Sequence, residues 1–490
     1  MENELIEQRK KKLQQLKDIG LSGVSLFPND FKPIHEADKV LTSYKGFSEE
    51  ELKNLSKELS LAGRVMALRD FGKSIFFHIK DRTGDIQGYI RRDIIGDENL
   101  KFFKDYVDIG DFIGIKGNLF KTKTDELTIN VKEFRLLTKA LRPLPEKWHG
   151  LKDVETRYRQ RYLDLISNPE VKEIFFKRTK ITKLIRQFFD ERGFVEVETP
   201  ILHPIAGGAA ARPFKTYHNA LDMELFLRIA PELYLKRLVI GGFERIYEIG
   251  RTFRNEGTST QHNPEFTMIE LYQAYATYED LMDLIEELIC FVTETILGTL
   301  EFKYGDMQIN MTRPWKRINI IESLRSVVGD EFLESDEKLF RKADSFGISH
   351  KGIRGKAIVE IFERIVGLEI VDPTFVFGFP FDVSPLARRN DLNHAITDRF
   401  ELFIAGREFA NAFSELNDPI DQNERFIKQV ELKAKGEEEV HEMDEDYITA
   451  LEHGMPPTAG AGIGIDRLVM LLTNSPSIRE VIFFPHLRPE

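Results

Sequence analysis

The spacing of apolar residues changes period several times along the chain, and the changes outline an architecture. Residues 1–60 read as two amphipathic helices around the Gly- and Pro-containing stretch GLSGVSLFPNDFKP, a helical extension ahead of the first folded unit. From Leu61 the period drops to two. LAGRVMALRDFGKSIFFHIKDRTGDIQGYI holds three strands divided at the turn signals DFGK and RTGD. A short helix, DENLKFFKDYV, and two more strands, DFIGIKGNLF and ELTINVKEFRLLT, complete a unit over 61–142. A polar, Pro-containing linker over 143–160 comes next. Beyond it, EVKEIFFKRTKITKLIRQFFDERGF carries apolar residues at 171, 174, 175, 181, 184, 185, 188 and 189, a helical stripe stopped by Gly193. Strand-like FVEVETPIL opens the rest of a second unit, 161–490. Within it residues 279–370 are mostly helical by pattern and read as an inserted helical module.

Five short strands with one helix between the third and fourth is the order of an OB-fold barrel, whose strand surface binds single-stranded nucleic acid; a small barrel without a ligand gives the same pattern. With 490 residues, 42% hydrophobic and 31% charged, the chain can build two or three cores and is too apolar for disorder. It lacks a run of roughly 18 uncharged apolar residues, and its charged start lacks a signal peptide's apolar core, so a soluble, cytoplasmic protein without a membrane span is expected. The single cysteine, Cys290 in LIEELICFV, reads as a packed core thiol. A net charge of −12 argues against a protein coated in nucleic acid. Residues 1–142 are nevertheless slightly basic and the remainder strongly acidic, as for two regions with different partners or for chance surface composition. Lys10, Lys11 and Lys12 could touch RNA phosphates or form a solvated helix face.

Candidate chemistry concentrates in the second unit. In GAGIGIDRLVML, Gly460, Gly462 and Gly464 alternate, so one strand face lacks side chains, either to let a flat ligand approach the backbone or to allow tight packing. Asp466 would cap the helix that follows, with Arg467 in its first turn. Ile465 occupies the third-glycine position of a dinucleotide fingerprint, and the chain has no P-loop. FRNEGTSTQHNPEFT joins two strands through a polar loop. Its Arg254 can hold a phosphate or carboxylate, Glu256 can accept from an exocyclic amine and Phe266 can lie on a base; exposed salt bridges among them are the alternative. Period two puts Phe266, Met268, Glu270 and Tyr272 on one strand face, and Asn411, Phe413 and Glu415 on another. Glutamates on such apolar faces need a cation, so with Glu232 they suit a ligand bearing two ammonium groups, or else internal arginine pairs. Glu401 and Glu408 flank the turn-like LFIAGR and could share Mg²⁺ with phosphates or form a solvated acidic hairpin.

Taken together, these segments resemble the class II aminoacyl-tRNA synthetases, and among them the lysyl-tRNA synthetases of the bacterial type. RGFVEVETPIL is similar to the family's first motif, FRNEGTSTQHNPEFT to its second and GAGIGIDRL to its third. The HIGH and KMSKS marks of class I enzymes are absent. The resemblance implies an α+β chain, with an N-terminal OB-fold anticodon-binding barrel followed by a catalytic domain whose six-stranded antiparallel sheet is flanked by helices. It implies activation of L-lysine by ATP and transfer to tRNA(Lys), with several Mg²⁺ ions at the ATP phosphates and a homodimer built on the first-motif helix and VEVETP. Aspartyl- or asparaginyl-tRNA synthetases and protein-lysylating paralogues are the alternatives. By resemblance, Glu232 and the Gly208 backbone take the lysine α-ammonium; Glu270, Tyr272 and Glu415 take the ε-ammonium; Asn411 and Arg254 take the carboxylate; and Phe413 flanks the side chain. Glu256 reads the adenine amine, Phe266 stacks on the ring, His262 contacts the phosphates, Arg467 clamps the γ-phosphate, and Glu401 and Glu408 hold Mg²⁺. Arg254 and Arg467 carry catalysis. In the barrel, Phe76, Gln87 and Arg69 fall where the subclass stacks on and reads the central anticodon uracil.

Overall fold

A computed structural model describes residues 2–20, 27–55, 57–145, 151–434 and 442–489. Part of the expected loop at 20–33 and part of the expected linker at 143–160 lie outside the described residues. The chain divides into two units, Met1–Lys152 and Asp153–Glu490.

In the first unit, strands β1 (Leu59–Asp70), β2 (Ser74–Lys80), β3 (Asp85–Arg91), β4 (Phe112–Lys121) and β5 (Leu127–Thr138) close a barrel in the order β1-β2-β3-β5-β4. Two short helices, Arg92–Ile95 and Asp97–Tyr106, stand between β3 and β4 where the sequence predicts one. Alternation decides which side chains enter. Ile75, Phe77 and Ile79 of β2 are buried in the barrel core, while Phe76 and His78 face outward. Gly88 is required on the neighbouring strand, since a Cβ there would overlap the Phe77 ring. The basic helix Glu2–Gly20 is tied to the barrel. Arg9 donates to the carbonyls of Ile109, Ala140 and Arg142, and Lys12 pairs with Asp108 at 2.8 Å. Lys12 is therefore committed to a carboxylate, and Lys10 pairs with Glu7 on its own helix.

The second unit contains β6 (Val195–Glu196), a small sheet of β7 (Leu202–His203), β8 (Lys215–His218) and β9 (Met223–Leu227), then β10 (Arg245–Phe253) and β11 (Glu265–Ala274). A hairpin of β12 (Glu301–Tyr304) and β13 (Met307–Asn310) precedes β14 (Lys316–Asn319), β15 (Thr374–Phe377), β16 (Arg399–Ile404), β17 (Arg407–Ser414) and β18 (Thr458–Gly464). The main sheet runs β14-β15-β16-β17-β18-β11-β10-β6. Its six central strands are antiparallel, as expected. A parallel strand at each edge, β14 on β15 and β6 on β10, makes the whole sheet eight-stranded and mixed.

The two faces of this sheet follow the period-two pattern. Ile269 and Leu271, Ala410 and Ala412, and Ala459, Ala461 and Ile463 join one large core with helices Pro169–Asp190, Tyr278–Leu297 and Ile465–Leu472. Cys290 lies in this core, its thiol donating to the Met311 carbonyl at 3.2 Å. The intervening residues point to the opposite face, which carries the site. Helices Ile320–Val328, Asp336–Ser345 and Arg354–Ile365 gather around a separate cluster with Phe332 and Phe379. No helix among the described residues is long and apolar enough to cross a membrane.

Candidate active site

The open face of β11, β18, β17 and β16 floors a cavity of about 470 Å³. Its centre is β18, where the three alternating glycines create room for side chains of the flanking strands. A Cβ on Gly460 would overlap a Glu415 carboxylate oxygen and the Tyr272 ring, and one on Gly462 would come within 3.0 Å of Met268 Cε. A Cβ on Gly464 would make only ordinary 3.8 Å contacts with the Arg467 stem. Two of the three glycines thus serve the pocket's own walls. Asp466 is not the helix cap the sequence suggests: Gly464 occupies the N-cap, and the Asp466 carboxylate accepts from the Thr267 backbone N–H at 2.7 Å and pairs with Arg178 at 2.5 Å. It ties the third-motif helix to β11 and to helix Pro169–Asp190.

One end of the cavity is acidic. Glu232 begins helix Glu232–Ile240, and the Gly208 backbone, at φ +87°, lies so close that a Cβ there would be 3.1 Å from Glu232 Cβ. Tyr272 donates to Glu270 Oε2 at 3.1 Å, and Phe413 lines the wall. Glu232, Glu270 and Glu415 are all buried. Burial, then the charge of Glu232, pushes the Glu270 carboxyl up to about 8. Glu415 is met from behind by Lys236, which also donates to Glu232 Oε1 at 2.6 Å. The internal cation that the sequence left open as an arginine is this lysine. Glu415 Oε1 keeps no hydrogen-bond partner.

The other end is built for anions. Arg254 follows β10, its N–H donating to the Pro264 carbonyl at 2.8 Å to close the base of the 255–263 loop. Its guanidinium stands 5.2 Å from the Phe266 ring centre, and its Nε is buried with no hydrogen-bond partner. Burial lowers its pKa, opposed by Glu256, Glu408 and Glu270. In the loop, Ser259 Oγ accepts from the Gln261 and His262 N–H groups and lies 3.1 Å from His262 Nδ1. Burial, then the charges of Arg467 and Arg254, hold His262 below the usual histidine range.

Glu401 and Glu408 come from the β16–β17 hairpin, whose two-residue turn places Ala405 at φ +51° and Gly406 at φ +71°. Strict alternation from Asn411 would point Glu408 away from the cavity. The register shifts by one at Phe409, so that Leu402 opposes Ala410 but Phe403 opposes Glu408, and this bulge turns Glu408 onto the cavity face beside Glu401. Burial, with the charges of Glu408 and Glu363 and against Arg399, pushes Glu401 up to about 8. Arg467 donates to the Glu408 carbonyl and stands 3.6 Å from its carboxylate.

Gly208, Glu232, Arg254, Glu256, His262, Phe266, Glu270, Tyr272, Glu401, Glu408, Asn411, Phe413 and Arg467 thus surround one cavity, with Glu415 against it at Gly460. Two charged residues escape the sequence reading. Arg399 donates to Asn411 Oδ1 at 3.1 Å and to Glu401 Oε1 at 2.6 Å, and Lys236 lies one helical turn from Glu232. Period two from Glu401 and the i,i+4 spacing from Glu232 are the signals that would have found them.

In the barrel, Arg69 opposes Phe76 and Phe76 opposes Tyr89 across three strands. The Phe76 and Tyr89 rings stack at 4.1 Å. Gln87 is engaged internally: it accepts from Thr128 at 2.8 Å, donates to Glu126 at 3.0 Å and lies 3.2 Å from His78 Nε2. Tyr89, His78 and Glu126 were not singled out from sequence.

Comparison with known proteins agrees with this geometry. The family described as tRNA synthetases class II (D, K and N) matches residues 153–488, and the OB-fold nucleic acid binding domain family matches 59–137. The lysine–tRNA ligase of Carboxydothermus hydrogenoformans is 55% identical over 491 residues, covering 99% of this chain and 98% of that protein. Those of Halalkalibacterium halodurans and Bacillus subtilis are 52% and 50% identical over 490 residues, each covering 99% of this chain and 97% of the relative. With a fold, a three-motif cavity and relatives that agree from end to end, the chain belongs to the class II tRNA synthetases, in the lysine–tRNA ligase family.

Proposed function

We propose that this chain activates L-lysine with ATP and transfers it to tRNA(Lys), working with Mg²⁺ as a cytoplasmic homodimer. The observation that carries the amino-acid choice is the acidic end of the cavity: Glu415 Oε1 is buried without a partner beside the Glu270–Tyr272 pair, and Glu232 adjoins Gly208. A side chain ending in an ammonium satisfies that end, whereas the carboxylate of aspartate would be repelled by it and the amide of asparagine brings no charge to balance it.

In the first step the lysine carboxylate attacks the α-phosphorus of ATP and pyrophosphate leaves. In the second, the terminal ribose hydroxyl of the tRNA attacks the adenylate carbonyl and AMP leaves. Arg254, with its unpartnered Nε, would bridge the carboxylate and the α-phosphate. Asn411 Oδ1 already accepts from Arg399, so its amide N–H groups are left for the same carboxylate. Glu256, Phe266, His262 and Arg467 would hold adenine and the phosphate tail. His262 would donate a hydrogen bond to the phosphates without acting as acid or base; alignment and charge neutralisation would carry the chemistry.

Two carboxylates facing one cavity, Glu401 and Glu408, suit a hard divalent cation shared with phosphate oxygens. Mg²⁺ held there by Glu401 and Glu408 would neutralise phosphate charge. For the anticodon, the Phe76–Tyr89 stack supports a base platform with Arg69 beside it, and Gln87 would exchange one internal partner for a uracil edge. Exposed Val195 on edge strand β6 and Phe176 on helix Pro169–Asp190 support the dimer interface. ATP–pyrophosphate exchange measured with each of the twenty amino acids tests the reading. Lysine should drive it; exchange driven by aspartate or asparagine instead would overturn the assignment.

A further inference from the structure

We propose that Lys236 is a positioning residue for lysine recognition: its buried ammonium bridges Glu232 and Glu415 and fixes both carboxyl groups in place to receive the two ammonium groups of the substrate. This rests on reading the acidic end as the lysine pocket. Lys236 does not line the cavity, and its side chain is fully buried. It sits one turn after Glu232 on helix Glu232–Ile240 and bridges that carboxylate to Glu415 at the end of β17, its ammonium 5.3 Å from the centre of the Phe413 ring. One cation therefore links the glutamate assigned to the α-ammonium with a glutamate assigned to the ε-ammonium.

The charge balance explains why the pocket needs it. Glu270 joins Glu232 and Glu415 in one buried enclosure, and carboxylates brought together out of water repel and take up protons unless a cation faces them. Of the other cations, Arg399 acts on Glu232 and Arg254 on Glu270 through charge alone, without a hydrogen bond to either. Tyr272 donates to Glu270 and the Tyr447 hydroxyl is buried unpartnered, while Arg237 faces Asp444 and Asp446. Arg399 pairs with Glu401, and Glu248, opposite Glu270 on β10, is matched by Arg228. Burial disfavours the charge on Lys236, but Glu232 and Glu415 outweigh it and hold the ammonium protonated well above its ordinary range. Burial raises both the Glu232 and the Glu415 carboxyl and Lys236 opposes that rise at each, so without Lys236 both would hold their protons to higher pH and lysine would have more to displace.

The test is Lys236→Met and Lys236→Arg in lysine-dependent pyrophosphate exchange from pH 6.5 to 9, against the wild-type enzyme. For Lys236→Met, KM for lysine should rise by ~10-fold or more at pH 7, and the deficit should shrink toward pH 9 as the glutamates ionise, because each unit of pKa change is a factor of ten. KM for ATP should change little, and Lys236→Arg should recover part of the loss. A lysine KM unchanged in Lys236→Met, or raised by the same factor at every pH, overturns the proposal. If Lys236→Met does not fold, Lys236→Arg decides: a wild-type pH profile supports the proposal, and a pH-independent loss overturns it. Failure of lysine to drive exchange in the wild type would instead sink the pocket reading itself.

Discussion

The two ends of the cavity solve the problem of buried charge in opposite ways. At the acidic end Lys236 bridges Glu232 and Glu415, and Tyr272 donates to Glu270. The groups there are held before any ligand arrives, with Glu415 Oε1 left over. At the other end Arg254 Nε is buried without a partner, and its guanidinium stands 5.2 Å from the Phe266 ring centre. A preorganised recognition end and an unsatisfied reacting end fit a reaction in which charge develops at one place only.

The largest test of this contrast is Arg254→Ala. If Arg254 neutralises charge that grows in the transition state, its loss should cut lysine-dependent pyrophosphate exchange by ~10²–10³-fold or more while the fold persists. Near-normal exchange would remove the distinction between the ends. Glu415→Gln probes the opposite end. Losing one charged hydrogen bond should weaken lysine by about 1.5–3 kcal/mol in KM while ATP changes far less. Equal loss for both ligands would mean that Glu415 supports the whole cavity and does not select its ligand.

The contrast is only partly visible in the sequence. Period two on β11 correctly groups Phe266, Met268, Glu270 and Tyr272, because a regular strand has no means of changing the side a residue faces. The same rule fails on β17. Asn411 and Phe413 obey it, but Glu408 reaches the cavity only through the bulge at Phe409, a one-residue irregularity that leaves no mark in composition or alternation. Ion-pair partners are hidden for a related reason. Lys236 and Arg399 are ordinary charged residues in sequence, and their commitment to Glu232, Glu415 and Glu401 depends on tertiary packing. The edge strands β6 and β14 are short, and their parallel pairing comes from long connections that local pattern does not specify.

The smallest expected effect concerns Glu270, where the difference between the ends becomes a matter of protons. Its carboxyl is raised from an ordinary 4.5 to about 8, chiefly by burial and then by Glu232. In the empty protein it holds a proton that the unfolded chain has already released between those values. Its contribution to stability is therefore full below about pH 4.5 and lost as pH rises to about 8. An ammonium docking on Glu270 must expel that proton, so apparent affinity for lysine should climb with pH, by at most about tenfold per unit, and level off above about 8. Glu401 is raised to about 8 as well, but it lies at the nucleotide end, so its titration should appear in the ATP and Mg²⁺ dependence. Measuring lysine KM from pH 6.5 to 8.5 at saturating ATP and Mg²⁺ separates the two. In Glu270→Gln, where no proton remains to be displaced, the lysine slope should flatten while the ATP slope stays. A lysine slope that survives this substitution would show that the proton belongs elsewhere in the pocket.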